Sequence, residues 1–195
     1  MTDPFHASIL MSGFSLSSEP FTLQRDCEAV MVPVGETVTL PAGQIGYITQ
    51  ALGGSFTVYV EGNLFRIAGQ DAEALGKEPP APIELAEDAS DEDVEKLVWS
   101  QLRTCFDPEI PVNIVELGLV YDVSLDPDED GSRKVYVKMT LTAPGCGMGD
   151  ILVDDVRTKL ELIPTVSEAD VDMVFDPPWN QSMMSDAAKL ETGML

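Results

Sequence analysis

Cys146 is the residue with the strongest case for chemistry. It sits in Thr142-Ala143-Pro144-Gly145-Cys146-Gly147-Met148-Gly149-Asp150, which the flanking patterns place between the end of a strand and the start of a helix. Free backbone N–H groups at a helix start carry positive partial charge. That stabilises a thiolate, the form of cysteine that attacks electrophiles and binds metals. Glycines on both sides remove bulk, so a metal cluster or another protein can approach the sulfur. The same residues also fit a plain glycine-rich turn around a buried small side chain. The second candidate is Phe106-Asp107-Pro108-Glu109-Ile110-Pro111, where prolines hold the carboxylates of Asp107 and Glu109 on one extended segment. Paired carboxylates serve as general bases or hard-metal ligands, whereas an Asp before Pro is often only a turn cap. Cys27, in the apolar run with Ala29-Val30-Met31-Val32, and Cys105, at helical spacing from Leu102 and Val98, read as packing thiols. His6 is the single histidine and lies away from both motifs; with no Cys-x-x-Cys either, metal binding by this chain alone is thin.

These loops need elements to hold them. Ser90 before Asp91, Glu92 and Asp93 is an N-cap signal with acids at the positive end of a helix. Val94, Leu97, Val98, Leu102 and Cys105 fall on one face of that helix, and Pro108 is expected to end it. Leu119, Tyr121, Val123 and Leu125 alternate as a strand, as do Val135, Val137, Met139 and Leu141 after an acidic turn. A helix carrying Leu152, Val156, Leu160 and Ile163 follows the Cys146 loop. Val171, Met173 and Phe175 make a third strand, stopped by Pro177-Pro178, and Ser182 to Leu190 predicts a last short helix. The order αββαβ predicts an α+β fold, a small mixed sheet with helices packed on one face.

Ahead of it the chain reads as short strands among glycine and proline turns, a small all-β unit built as an antiparallel sheet or barrel. Phe56–Val60 and Leu64–Ile67 flank Glu61-Gly62-Asn63, a three-residue hairpin signal. The boundary falls at Gly76–Ser90, proline-rich and then acidic, which divides the chain into 1–75, a linker 76–90, and 91–195. Nine of the 34 acids and three of the 11 bases precede Glu84, so the acidic excess lies mostly in the second part.

The net charge of −23 excludes partners that need a basic face. Nucleic-acid binding depends on cations that displace counterions from phosphate, and an anionic membrane surface repels such a chain. Phe5 to Leu16 is broken by His6, Ser8, Ser12 and Gly13 and has no basic cluster before it, so neither a signal peptide nor a span is expected. Three cysteines, odd in number and far apart, point to a reducing cytoplasm rather than a disulfide framework.

Asp107-Pro108-Glu109-Ile110-Pro111 leads to Leu117-Gly118-Leu119-Val120-Tyr121, then Thr140-Leu141-Thr142-Ala143-Pro144-Gly145-Cys146, then Phe175-Asp176-Pro177-Pro178-Trp179. In this order and spacing, from about Asp91 to the C-terminus, the chain resembles the PaaD-like iron–sulfur assembly domain. The preceding segment, with Leu40-Pro41-Ala42-Gly43 and Gln50 to Val58, looks like the N-terminal extension of the SufT group, the members encoded with the bacterial SUF pathway. The resemblance implies a non-catalytic maturation factor that helps deliver iron–sulfur clusters to apo-proteins, with SUF scaffold or carrier proteins and the apo-proteins as partners. Carried onto this sequence, the reactive cysteine falls on Cys146, the motif threonine on Thr142 and the acidic pair on Asp107 and Glu109. Trp179 and Met184 belong to a C-terminal piece expected to pack near the same loop and to offer contacts to a partner. One departure is Gly147-Met148-Gly149, where many members have a proline after the cysteine.

An iron–sulfur cluster takes four protein ligands, largely thiolates. One loop cysteine does not supply them, so the cluster is expected to be transient or bridged, with a second subunit (a homodimer), a small thiol or the client completing the set. Two other readings of the residues remain: a thiol enzyme with Cys146 as nucleophile and Asp107 or Glu109 as base, and a metal-free adaptor that docks clients through its acidic surface.

Overall fold

Period-two alternation governs the first third of the chain. The computed structural model describes residues 18–107, 110–143 and 149–194; His6, Glu109, Cys146 and the Phe5–Leu16 stretch lie outside them. Strands β1 (Glu19–Thr22), β2 (Cys27–Val32), β3 (Thr37–Leu40), β4 (Ile45–Leu52), β5 (Ser55–Val60) and β6 (Asn63–Ile67) form one sheet in the order β1-β4-β5-β6-β2-β3. Every pairing in it is antiparallel. One face is a core of Phe21, Leu23, Cys27, Ile48, Val58 and Ile67 with their neighbours, closed by Ala74 and Leu75 of the 3-10 turn Gly69–Leu75. The β5–β6 hairpin turns on two residues, not three. Glu61 and Gly62 take φ of 50° and 91°, and Asn63 already pairs with Val60. Successive positive φ values give the turn a twist that matches the strands.

Residues 76–90 carry no regular element, yet Ile83 and Leu85 pack against the second core. Helix α1 (Asp91–Leu102) then starts as its sequence predicts. Ser90 Oγ accepts from the Asp93 N–H at 3.2 Å, and an Asp93 oxygen accepts from the Ser90 N–H at 3.1 Å, a reciprocal capping box. The helix stops at Leu102, six residues before Pro108. Thr104 Oγ1 donates to the Gln101 carbonyl at 2.7 Å and the chain turns, carrying Cys105 inward just past the helix end.

β7 (Val120–Pro127) pairs antiparallel with β8 (Arg133–Met139), and β8 pairs parallel with β9 (Val166–Met173). A parallel pair needs a crossover, and α2 (Gly149–Glu161) provides it. Val135, Val137 and Met139 point with Val94, Val98, Leu102, Leu152, Val156 and Leu160 into one core. That is the mixed sheet with helices on one face which the αββαβ order predicts. β9 begins earlier than its apolar residues alone indicate and ends before Phe175, which is half exposed. Glu168, Asp170 and Asp172 occupy its solvent side while Ala169 and Val171 face the core, so charge conceals the strand. The C-terminal helix is also shorter than expected. A 3-10 turn (Gln181–Met183) precedes α3 (Asp186–Glu191), because Ser185 rather than Ser182 supplies the cap. Among the described residues no helix is long and apolar enough to cross a membrane.

Candidate functional site

Backbone hydrogen bonds gather the motif segments at one end of the three-stranded sheet. The Cys105 carbonyl accepts from Ile114 N–H, the Ile114 carbonyl from Leu119 N–H, and the Leu119 carbonyl from Thr140 N–H, each at 2.9 Å. The Met139 carbonyl accepts from Val174 N–H at 2.8 Å, and the Glu116 carbonyl from Ser185 N–H at 2.9 Å. The Trp179 indole N–H donates to the Leu117 carbonyl at 2.8 Å. Gly118, at φ 71°, lets the Met183 backbone lie where a side chain would otherwise stand. Segments from three separate stretches of sequence therefore meet mainly through backbone carbonyls, with the Trp179 indole and the Tyr121 hydroxyl, which donates to the Pro177 carbonyl at 2.8 Å, as side-chain ties.

Asp107 is buried, and its Oδ1 accepts from the Ile110 N–H at 3.0 Å, the turn-capping geometry expected of an Asp before Pro. Its side chain also lines a cavity of about 70 Å³ together with Phe106 and with Val32, Leu64 and Arg66 of the first sheet. Thr142 is half-buried on the extension of β8, two residues beyond the buried Thr140. A Cβ on Gly149 would lie 3.0 Å from Leu141, so the start of α2 packs closely on the same extension. Glu109 and Cys146 fall within these two loops but outside the described residues. Trp179 is half-buried and tied to Leu117, and Met184 is buried in the second core. The flexible, apolar Met184 therefore fills space beneath the motif and presents no open surface to a partner.

The structure adds residues that neither motif indicates. Asp155 of α2, its side chain only 8% exposed, holds two cations at one oxygen: Arg66 of β6 at 2.6 Å and Lys159 at 3.1 Å. Lys159 also donates to the Thr104 carbonyl at 2.7 Å, where α1 ends. Beside this cluster the β4–β5 turn presses on α1, and a Cβ on Gly53 would overlap the Thr104 carbonyl. At the other side a Cβ on Gly35, in the β2–β3 turn, would stand 3.7 Å from Ile151 in the first turn of α2. The first sheet thus touches the turn that leads from α1 to Asp107 and the helix that follows the Cys146 loop. The one sequence signal was Arg66 itself, one of three cations ahead of Glu84 and set in an apolar strand.

Cys27 and Cys105 are both buried and free. Burial pushes the Cys105 thiol from an ordinary 9.0 up to about 12, with the nearby Asp155 charge adding to the effect. Burial likewise raises Cys27. Neither is an available thiolate at neutral pH. Among the described residues no three His, Cys, Asp or Glu side chains gather as a metal-binding group.

The family profile described as "Iron-sulfur cluster assembly protein" matches residues 95–171. An "Fe-S protein maturation auxiliary factor" of Porphyromonas gingivalis is 48% identical over 101 residues, which cover 52% of this chain and 92% of that protein. The "Fe-S protein maturation auxiliary factor SufT" of Staphylococcus aureus is 46% identical over 88 residues, 45% of this chain and 96% of that one. A crystal structure of a domain of unknown function, DUF59, from Bacillus anthracis is 39% identical, with a TM-score of 0.47, covering 53% of this chain and 95% of that one. With two maturation factors covered over nearly their whole length at such identity, this chain belongs to the iron–sulfur cluster assembly protein family.

Proposed function

We propose that this protein is an auxiliary factor in iron–sulfur cluster maturation, working in the cytoplasm without turnover chemistry of its own, and that Cys146 is its cluster-handling residue. The observation that carries the reading is the 48% identity over 92% of a maturation factor. The cluster is cargo here. Cys146 supplies one thiolate, as ligand or transfer residue, and the remaining ligands come from a SUF scaffold or carrier, from the apo-protein, or from a second copy. Asp107, Glu109 and Thr142 shape the pocket around it, and Trp179 and Met184 support that pocket from behind. In this reading 91–195 is the assembly domain, 76–90 the linker and 1–75 the SufT-type extension.

The test is the activity of an aconitase-type iron–sulfur enzyme in a strain lacking the protein, complemented with wild type or with Cys146→Ala at matched levels. Wild type is expected to restore activity and the variant to leave it at the deletion level. Equal restoration by both makes Cys146 a structural thiol and favours a metal-free adaptor, whose client binding would be strongly salt-dependent.

A further inference from the structure

The first sheet has a second face, and its register leads to the candidate site. Pro20 pairs with Tyr47, Tyr47 with Tyr59, Tyr59 with Leu64, and Leu64 with Val32. Paired residues point to the same side of a sheet, so these five form one apolar line across five strands. At one end Leu64 and Val32 line the cavity that Asp107 also lines. At the other end the line is open, with Tyr47 48% and Tyr59 43% exposed, and Ile45 on the same face 65% exposed. Such side chains gathered on one face, with a tyrosine pair at the centre, are the composition of a binding patch rather than of a solvated sheet.

The charges around this shelf indicate what covers it. Arg66 is taken up by Asp155 and Lys77 by Glu19, each ion pair at 2.6 Å. Glu61, in the turn beside Tyr59, and Glu28, exposed on the same face of β2 as Val32, pair with no cation among the described residues, so the free charge bordering the shelf is acidic. A partner matching this surface carries an apolar segment with a basic rim.

We propose, resting on the maturation function above, that the shelf of Ile45, Tyr47 and Tyr59 is the docking platform for the apo-protein that receives the cluster. The acceptor lays an apolar, basic-rimmed segment along the Pro20–Tyr47–Tyr59–Leu64 line, which delivers its cluster-binding residues to the Asp107 end. The assembly domain handles the cargo and the first sheet selects the recipient.

The experiment uses the full chain, apo-aconitase as probe, and three variants: Tyr47→Ser/Tyr59→Ser, Ile45→Lys and Cys146→Ala. Fluorescence anisotropy gives the affinity for apo-aconitase, and complementation gives maturation in the cell. The two shelf variants are expected to keep the wild-type melting temperature, weaken apo-aconitase binding at least tenfold and lower restored activity at least fivefold. Cys146→Ala is expected to lose maturation while still docking. Because Ile45 is the most exposed of the three, Ile45→Lys carries the test should the double variant fail to fold. Shelf variants that bind and mature as wild type overturn the proposal. So does a shelf variant that only converts a dimer to a monomer in sedimentation, which would make the face a contact between copies. Failure of wild type itself to restore aconitase overturns the maturation reading instead, so the two failures are distinct.

Discussion

A thiol held neutral by burial is silent toward reagents, and two of the three cysteines are in that state. Cys105, pushed up to about 12, and the buried Cys27 are expected to resist Ellman's reagent at pH 8 until the protein unfolds. Any fast native labelling then reports Cys146, and Cys146→Ala should abolish it; a fast phase that survives would mean that a core thiol is reached. The same burial sets a direction with pH. Cys105 keeps its proton in the folded state up to about 12 but loses it near 9.0 when unfolded, so between those values the unfolded chain binds fewer protons. This contribution to stability is complete below pH 9 and declines as pH rises toward 12. Urea midpoints taken upward from pH 8 are expected to fall, and Cys105→Ala should flatten the part of the slope owed to this residue.

At the scale of elements, stability concentrates at caps and close approaches. Ser90→Ala removes the Oγ half of the capping box, leaving the backbone N–H of position 90 bonded to Asp93, and is expected to cost about 1 kcal/mol in urea unfolding. Gly53→Ala is expected to cost more, at least about 2 kcal/mol, because φ of 59° strains an alanine and its Cβ runs into the rigid Thr104 carbonyl. A Gly53→Ala protein as stable as wild type would show that the β4–β5 turn does not rest on α1. The contrast between these two positions explains what the sequence could reveal. Ser90 and its acids announce a helix start through contacts three residues apart, and the 3.6-residue spacing of Leu152, Val156 and Leu160 announces α2 and its buried face. The motif order from Asp107 to Trp179 was legible for the same reason, as a linear pattern. Gly53 against Thr104, or Arg66 against Asp155, joins residues 51 and 89 positions apart, and no local pattern encodes that. β9 starts earlier than its apolar residues indicate because its acids face water, and Met184, beside the motif in sequence, belongs to the core.

At the scale of the whole molecule, something must hold the first sheet against the three-stranded sheet and its helices in so acidic a chain. Hydrophobic contact is modest at the junction, and a proline strap from Pro79 to Pro82 borders a groove of about 720 Å³ there instead of a sealed core. The Arg66–Asp155–Lys159 cluster is the specific link, buried on both sides. Removing the central carboxylate leaves two cations facing each other out of water, which costs about 3–5 kcal/mol in comparable buried pairs. Without the first sheet, Asp155 and Lys159 become an exposed i,i+4 helix pair worth about 0.3–0.5 kcal/mol. Asp155→Asn is therefore expected to destabilise the full chain by several kcal/mol, yet a fragment of residues 76–195 by less than about 1 kcal/mol. The fragment is expected to fold, since maturation factors of the family are covered almost entirely by about half of this chain. Urea unfolding of the four proteins gives the comparison. Equal costs in chain and fragment would place the energy of Asp155 within α2 alone, and the docking of the first sheet would then rest on the Gly53 and Gly35 contacts instead.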